Sequence, residues 1–230
     1  CDNVLENKKG YDALKSFLNR DFPSIKGLKP GEKIIKSDNF DIEIPEIISR
    51  LQNSYIFLQG PAGSGKTTRS SNIIIELLKK NKKIAITANS HKVIHNLLEK
   101  IESLADKQKF IFKGLKMGNP DNEDTFYDGT FIKTAKNEKH YIDGLKDEKI
   151  LLYAGTKYHL SNWYYQNKLD YLFIDEASQI AVADLISLGG IAKNIILVGD
   201  QQQLGQPTQG SHPGESKKSV LDYLLENKDT

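Results

Sequence analysis

The sequence predicts an α/β fold in which a parallel sheet carries helices on both faces. Two patterns predict the class. From Tyr55 onward, apolar runs of three to five residues alternate with longer stretches whose apolar residues recur at helical spacing, and strand–helix–strand alternation builds parallel sheets. The runs are also apolar at successive positions rather than at every second one, as strands covered on both faces require. A third observation fixes where the sheet starts: the first run ends in a glycine-rich turn that leads straight into a helical stretch.

In chain order, residues 1–50 are polar and mixed, with a helix expected from Leu5 to Leu18 and then turn signals at Pro23, Gly27, Pro30 and Gly31. They read as an N-terminal extension or an edge of the main domain. Tyr55 to Leu58 reads as a buried strand that stops at Gly60, with a helix following to Lys80. Ile84 to Ile86 reads as the next strand, and Ile94, Leu97, Leu98, Ile101 and Leu104 stand at helical spacing after it. Residues 106–149 show no sustained period and are broken by Gly114, Gly118, Pro120 and Gly129, so they are expected to form an insertion or a long surface excursion. Apolar runs return at Ile150 to Ala154, Tyr171 to Ile174 and Ile195 to Val198, and a last helix is expected from Ser219 to Glu226. Residues 51–230 thus form the main domain, with 106–149 inside it.

A chain of 230 residues has room for one large domain plus an appendage, at about 150 residues per domain. Hydrophobic residues make up 38% and charged residues 27%, a balance that excludes wholesale disorder and fibrous repeats. The longest apolar run, Ile150 to Ala154, is far shorter than the roughly 18 residues a spanning helix needs, so no membrane partner is expected. Cys1 is the only cysteine; an internal disulfide and a thiolate zinc cluster are both excluded, and a cytoplasmic location is expected. Because the chain begins at Cys1 and its single methionine is Met117, it is expected to be a piece of a longer protein. The net charge of +2 means that any nucleic-acid contact must come from local placement of basic groups.

Gly60 to Thr67 reads Gly-Pro-Ala-Gly-Ser-Gly-Lys-Thr, the full phosphate-loop pattern between a strand and a helix, which marks a P-loop NTPase. Glycines let successive amides turn inward toward phosphate oxygens, and the helix adds its positive end. Gly60, Gly63, Ser64, Gly65, Lys66, Thr67 and Thr68 are therefore candidate nucleotide-binding residues. Lys66 is positioned to neutralise the β and γ phosphates, and the Thr67 hydroxyl to ligate Mg²⁺.

Such a loop needs a carboxylate at the end of a neighbouring buried strand, and a hydrolase needs a group that activates water. Asp175, which ends the run from Tyr171, is the candidate metal carboxylate, and Glu176 the candidate general base. Two other patterns carry less. Asn167 to Asp170 spells the guanine-reading signature of GTPases, but it precedes the metal-binding strand instead of following a later one. His91 and His95 stand one helical turn apart, yet Lys92 occupies the place of the zinc-protease glutamate; they read as surface or nucleic-acid-facing groups.

After the run Ile195 to Val198 comes Gly199-Asp200-Gln201-Gln202-Gln203-Leu204. Together with Asp175-Glu176-Ala177-Ser178-Gln179, it resembles superfamily 1 helicases, whose third motif has this Gly-Asp-x-x-Gln-Leu form. The resemblance spans about Tyr55 to Glu226. It is closest to the 5′-to-3′ branch of RNA-decay and Dna-type helicases, and within it to helicase domains joined to RecB-like nucleases. DEAD-box proteins carry a Ser-Ala-Thr motif after the metal carboxylates, which this sequence lacks.

The resemblance implies a RecA-like N-terminal ATPase lobe that uses ATP and Mg²⁺, with Gln203 sensing the γ-phosphate and Asp200 supporting its loop. It implies single-stranded DNA or RNA as partner, held by the segment Thr87 to Asn96 through Ser90 and by Gly155 and Thr156. Ser90 also reads as a plain helix N-cap. Trp163, Tyr164 and Tyr165 have the faces to stack bases, although adjacent aromatics near a sheet are more often core. No adenine-reading glutamine stands at the proper distance upstream of the loop: Gln52 is too close and Gln59 abuts the turn, so ATP rests on the resemblance. The second lobe, with the arginines it lends to the transition state, is missing, and no arginine follows Arg69. An arginine finger is worth about 10³ to 10⁵ in rate, so this lobe alone is expected to hydrolyse ATP poorly and not to unwind. In the intact protein, hydrolysis is expected to drive movement along a single strand. The alternative is an ATP-dependent switch or clamp acting on a protein partner; a small-molecule kinase fits less well, because Glu176 and Gln203 suit attack by water.

Overall fold

The structure, a computed structural model, describes residues 10–37, 39–61, 63–119, 121–135, 137–200 and 214–226. Its centre is a seven-stranded sheet whose paired strands all run parallel, in the order β1-β7-β6-β2-β5-β3-β4. The strands are β1 (Tyr55–Gln59), β2 (Ile84–Thr87), β3 (Lys113–Lys116), β4 (Ile132–Thr134), β5 (Ile150–Ala154), β6 (Leu169–Ile174) and β7 (Ala192–Gly199). Every expected apolar run is a strand. Two hydrophobic clusters lie on the two faces of the sheet. One is built with helices α2 (Phe40–Ser49), α3 (Lys66–Lys79) and α4 (His91–Lys107). The other takes α1 (Asp12–Leu18), α5 (Glu138–Gly144), α6 (Lys157–Leu160), α7 (Val182–Leu188) and α8 (Val220–Leu225).

Alternation along each strand divides its side chains between these clusters. In β6, Tyr171 and Phe173 enter the first while Leu172 and Ile174 enter the second, which is why the run is apolar at every position. In α4 the buried residues Ile94, Leu97, Leu98, Ile101 and Ala105 form one stripe at helical spacing. The helix expected from Leu5 begins at Asp12 in the described residues, and its Ala13, Leu14 and Phe17 are buried against the sheet. Residues 1–9 lie outside the described residues.

The segment 106–149 differs from the surface excursion expected of it. It supplies β3 and β4, which extend the sheet beyond β5, and α5, whose Tyr141 is fully buried. The reason is tertiary. Gly114 and Leu115 are buried between β5 and β4. The approach to β4 is held from a distance by Glu102 of α4, whose carboxylate accepts the backbone N–H groups of Thr130, Phe131 and Ile132 at 2.8, 2.9 and 2.7 Å. These strands are three and four residues long, too short to show a period, and a carboxylate some thirty residues away supplies what local propensity does not. Among the described residues no helix is long and apolar enough to cross a membrane.

Candidate active site

Because all seven strands are parallel, their carboxyl ends share one edge, where α/β folds bind ligands. Gly60 follows β1, and its N–H donates to the Gly199 carbonyl at the end of β7, 3.2 Å away. Gly63 and Gly65 adopt φ values of 76° and 79°, the left-handed region that glycine enters without strain. An added Cβ would meet nothing within 4 Å at either position, so backbone conformation and not crowding requires glycine there. Lys66 opens α3 and folds back, its Nζ donating to the Gly60 and Pro61 carbonyls at 2.6 and 2.9 Å. Among the described residues the buried Ser64 hydroxyl has no hydrogen-bond partner. Thr67 is half-buried and Thr68 exposed in the first turn of α3.

Asp175 follows β6, two strands from β1 with β7 between them. Its N–H donates to the Thr87 carbonyl at 2.9 Å, and its Oδ1 accepts the Glu176 N–H at 3.0 Å. Glu176 has φ 51°, a conformation that costs a non-glycine residue and often marks a working site. The end of β7 packs close behind this turn, since a Cβ on Gly199 would lie 3.4 Å from the Ala177 and Ser178 nitrogens. Burial pushes the Asp175 carboxyl above the usual carboxylate range, opposed by the Glu176 N–H and by the charge of Lys66. Burial and then the neighbouring Asp175 charge push Glu176 up too, again opposed by Lys66. One lysine from the β1 turn therefore acts electrostatically on both acids of the β6 turn. Asp200, after β7, is buried; Gln203 lies outside the described residues.

Beside the phosphate loop lies a cavity of about 250 Å³ lined by Phe40, Ile44, Phe57, Gln59, Lys66 and Arg69, among others. The Arg69 guanidinium sits 5.7 Å from the centre of the Phe40 ring. Phe40 and Ile44 come from α2, which sequence reasoning left in an unassigned N-terminal segment; only a fold can show that they reach the phosphate loop.

On the other half of the same edge, the Ser90 hydroxyl accepts the Val93 N–H at 3.3 Å and caps α4. Asn89 donates its Nδ2 to Gln179 Oε1 at 3.3 Å. Thr156 precedes α6, with Oγ1 2.9 Å from His159 Nδ1. The Gly155 N–H donates to the Ile86 carbonyl and the Met117 N–H to the Ala154 carbonyl, at 3.1 and 2.7 Å, so the ends of β2, β5 and β3 are knitted together. His91 and His95 are half-buried, less open than surface residues. The aromatic triplet divides: Trp163 is 83% exposed, whereas Tyr165 is in the core. Asp170, of the discounted guanine signature, begins β6 at the opposite edge, its carboxylate accepting from the Lys83 N–H and Lys193 Nζ. Among the described residues no group of three or more His, Cys, Asp or Glu side chains is arranged to hold a metal ion.

The sequence model of the family described as "AAA domain" matches residues 45–208. The chain belongs to this family. Its AAA domain is 31% identical over 173 residues to the DNA replication ATP-dependent helicase/nuclease dna2 of Schizosaccharomyces pombe, a match covering 74% of this chain and 12% of that protein. It is 32% identical over 194 residues to the RecBCD enzyme subunit RecD of Buchnera aphidicola, covering 80% of this chain and 27% of that one. A solved structure of the Arterivirus nonstructural protein 10 helicase with DNA superposes with a TM-score of 0.45 at 14% identity, covering 82% of this chain and 40% of that one. The chain thus spans only about an eighth to a quarter of the length of these curated relatives. With its motifs, the AAA domain is a RecA-like domain of the superfamily 1 helicase kind, related to nuclease-helicases.

Proposed function

We propose that this domain is the first ATPase lobe of a helicase that couples ATP hydrolysis to movement along single-stranded nucleic acid. The observation that carries the reading is the convergence of Lys66, Asp175 and Glu176 on one sheet edge, close enough for the lysine to act on both carboxyls. A magnesium triphosphate fits what stands there. The left-handed glycines turn the loop back on itself, the buried Ser64 hydroxyl has no hydrogen-bond partner among the described residues, and the ammonium of Lys66 rests on weak carbonyl acceptors that anionic oxygens would displace.

In this reading Gly60, Gly63, Ser64, Gly65, Thr67 and Thr68 cradle the phosphates, and Lys66 neutralises them. Thr67 and Asp175 hold Mg²⁺, whose bound charge would offset developing negative charge on the phosphates. Glu176, its proton affinity raised by burial, takes the proton of the attacking water at its carboxylate. Gln203 is assigned to the γ-phosphate on its motif alone. The cavity between Phe40 and Arg69 is suited to the base, with Gln59 at its wall. Ser90 and Thr156 face the strand, and exposed Trp163 stands ready to stack a base. The relative named for DNA replication favours DNA as the strand. A second lobe supplies the arginines missing after Arg69, and a fused nuclease is in keeping with the relative named helicase/nuclease.

The deciding experiment is ATP turnover by the intact protein with and without single-stranded DNA and RNA. Stimulation by a strand is expected. Turnover indifferent to every strand tested, with nucleotide still bound, would instead point to a switch that acts on a protein partner.

A further inference from the structure

Two segments outside the matched span 45–208 close on each other beside the acidic turn. α1 and the residues after it precede β1, while α8 lies beyond the end of β7. α1 stops in a Schellman motif: the Arg20 N–H donates to the Phe17 carbonyl and the Asp21 N–H to the Ser16 carbonyl, both at 2.9 Å, with Arg20 at φ 56°. Glycine fills such a left-handed stop at no steric cost. An arginine held there against that cost points to work for its side chain.

The side chain reaches α8. Its Nε donates to the Tyr223 carbonyl at 2.8 Å, and its guanidinium lies 4.1 Å from the centre of the Tyr223 ring. Tyr223 returns the contact: its hydroxyl donates to the Leu18 carbonyl at 2.6 Å, and its ring stacks on Phe17 with centres 5.4 Å apart. Phe17 in turn meets Tyr55 of β1 edge-on at 5.5 Å. The Glu215 and Glu226 carboxylates stand farther from Arg20, at 3.7 and 3.8 Å, are about half exposed, and are bonded to Lys218. Exposed ion pairs contribute little, so the hydrogen bonds and ring contacts make the clasp.

α8 is bound in its turn to the acidic loop. The Val220 N–H donates to the Ile180 carbonyl and the Val182 N–H to the Lys218 carbonyl, each at 2.9 Å, around the bridge of Ala181 with Ser219. Leu221 packs at the end of β7, where a Cβ on Gly199 would lie 2.9 Å from its Cδ1 and 3.4 Å from the Ala177 and Ser178 nitrogens. Phe17, Ala177, Ile180, Val220 and Leu221 share one buried cluster.

We infer that Arg20 is a positioning residue for turnover: through Tyr223 it braces α8 against the turn that carries Glu176, so that the segment before β1 helps to hold the proposed base in place. The inference rests on the reading above that Glu176 is that base. The phosphate loop takes no part in the bonds of the clasp, so nucleotide binding is not expected to depend on it.

The test compares strand-stimulated ATP turnover and fluorescent-nucleotide binding by the intact protein with those of Arg20→Gly, Tyr223→Leu and the double variant. Glycine suits the helix stop, so Arg20→Gly is expected to melt within about 4 °C of the parent. Its kcat is expected to fall about 10-fold, with KM and nucleotide affinity within about twofold of the parent. Tyr223→Leu is expected to lower kcat by a similar factor, and the double variant to be no slower than the slower single one, because both remove one contact. A merely structural role predicts the reverse for Arg20→Gly, an improved helix stop with unchanged kcat. Should one single variant not fold, the other decides on the same kcat reading. A folded variant with the parent kcat, or losses that multiply in the double variant, would overturn the positioning role while leaving the proposed function standing. An intact parent without strand-stimulated turnover would overturn both.

Discussion

The two halves of the carboxyl edge handle charge in opposite ways. At the β1-β7-β6 half, the cation Lys66 faces the acids Asp175 and Glu176; at the β2-β5-β3 half, Lys116 is surrounded by carbonyls and imidazoles. The first half sets one cation against two carboxyls, the balance that the proposed magnesium triphosphate requires. In the second the buried ammonium is held by neutral acceptors, two carbonyls and an imidazole nitrogen. One sheet edge thus holds two lysines in different surroundings, one acting on a pair of carboxyls and the other buried among neutral acceptors.

The strongest way to break this contrast is Lys66→Ala. Loss of its charge-assisted hydrogen bonds is expected to weaken triphosphate binding by about 100-fold, read with a fluorescent nucleotide; near-normal binding would remove the first half from the comparison. Glu176→Gln is expected to keep nucleotide binding while slowing turnover by about 10² to 10⁴. Because burial and Asp175 raise the carboxyl of Glu176, the acid limb of turnover in the parent should lie above 4.5, the ordinary value for glutamate. A limb at or below 4.5 would argue against Glu176 as the base.

Two smaller effects sharpen the contrast through stability. The folded-state proton affinity of Asp175 is raised, so the folded chain holds its proton to higher pH than the unfolded chain. Stability therefore falls as pH rises through that window and stays reduced above it. Asp175→Asn should raise the melting temperature at neutral pH while abolishing metal-dependent turnover, a gain of about 2–4 °C for each kcal/mol. Lys116 has the reverse slope. Burial makes it release its proton at about 8 in the folded chain, against 10.5 ordinarily, so the unfolded chain holds more protons in between and stability should rise from about pH 8 to 10. Melting curves of Lys116→Met should lose that rise; a rise that persists would assign it to another group.

The sequence carried the phosphate loop openly because its chemistry is local. Gly63, Gly65, Lys66 and Thr67 are set by neighbours within one turn, and the left-handed glycines correspond directly to their letters. The central strands were legible for a related reason: burial on both faces makes Tyr171 to Ile174 apolar throughout. β3 and β4 were not, since Lys113-Gly114-Leu115-Lys116 reads as polar while Lys116 is fully buried, solvated by carbonyls that only the tertiary fold provides. The same applies to Phe40 and Arg69, brought together from distant segments, and to the left-handed turn at Glu176. Arg20 and Tyr223 had no shared signal to announce them, since 203 positions separate them in the chain.

The bond from Asn89 to Gln179 spans the border between the halves. At 3.3 Å it is near the long end for such a contact, and its acceptor stands three residues after Glu176 in the same short turn, while its donor immediately precedes the cap of α4. A shift of the acidic turn by about an ångström would stretch it past breaking. The side-chain bond thus stands beside the backbone bond from Asp175 to the Thr87 carbonyl, and together they tie the acidic turn to the segment that leads into α4.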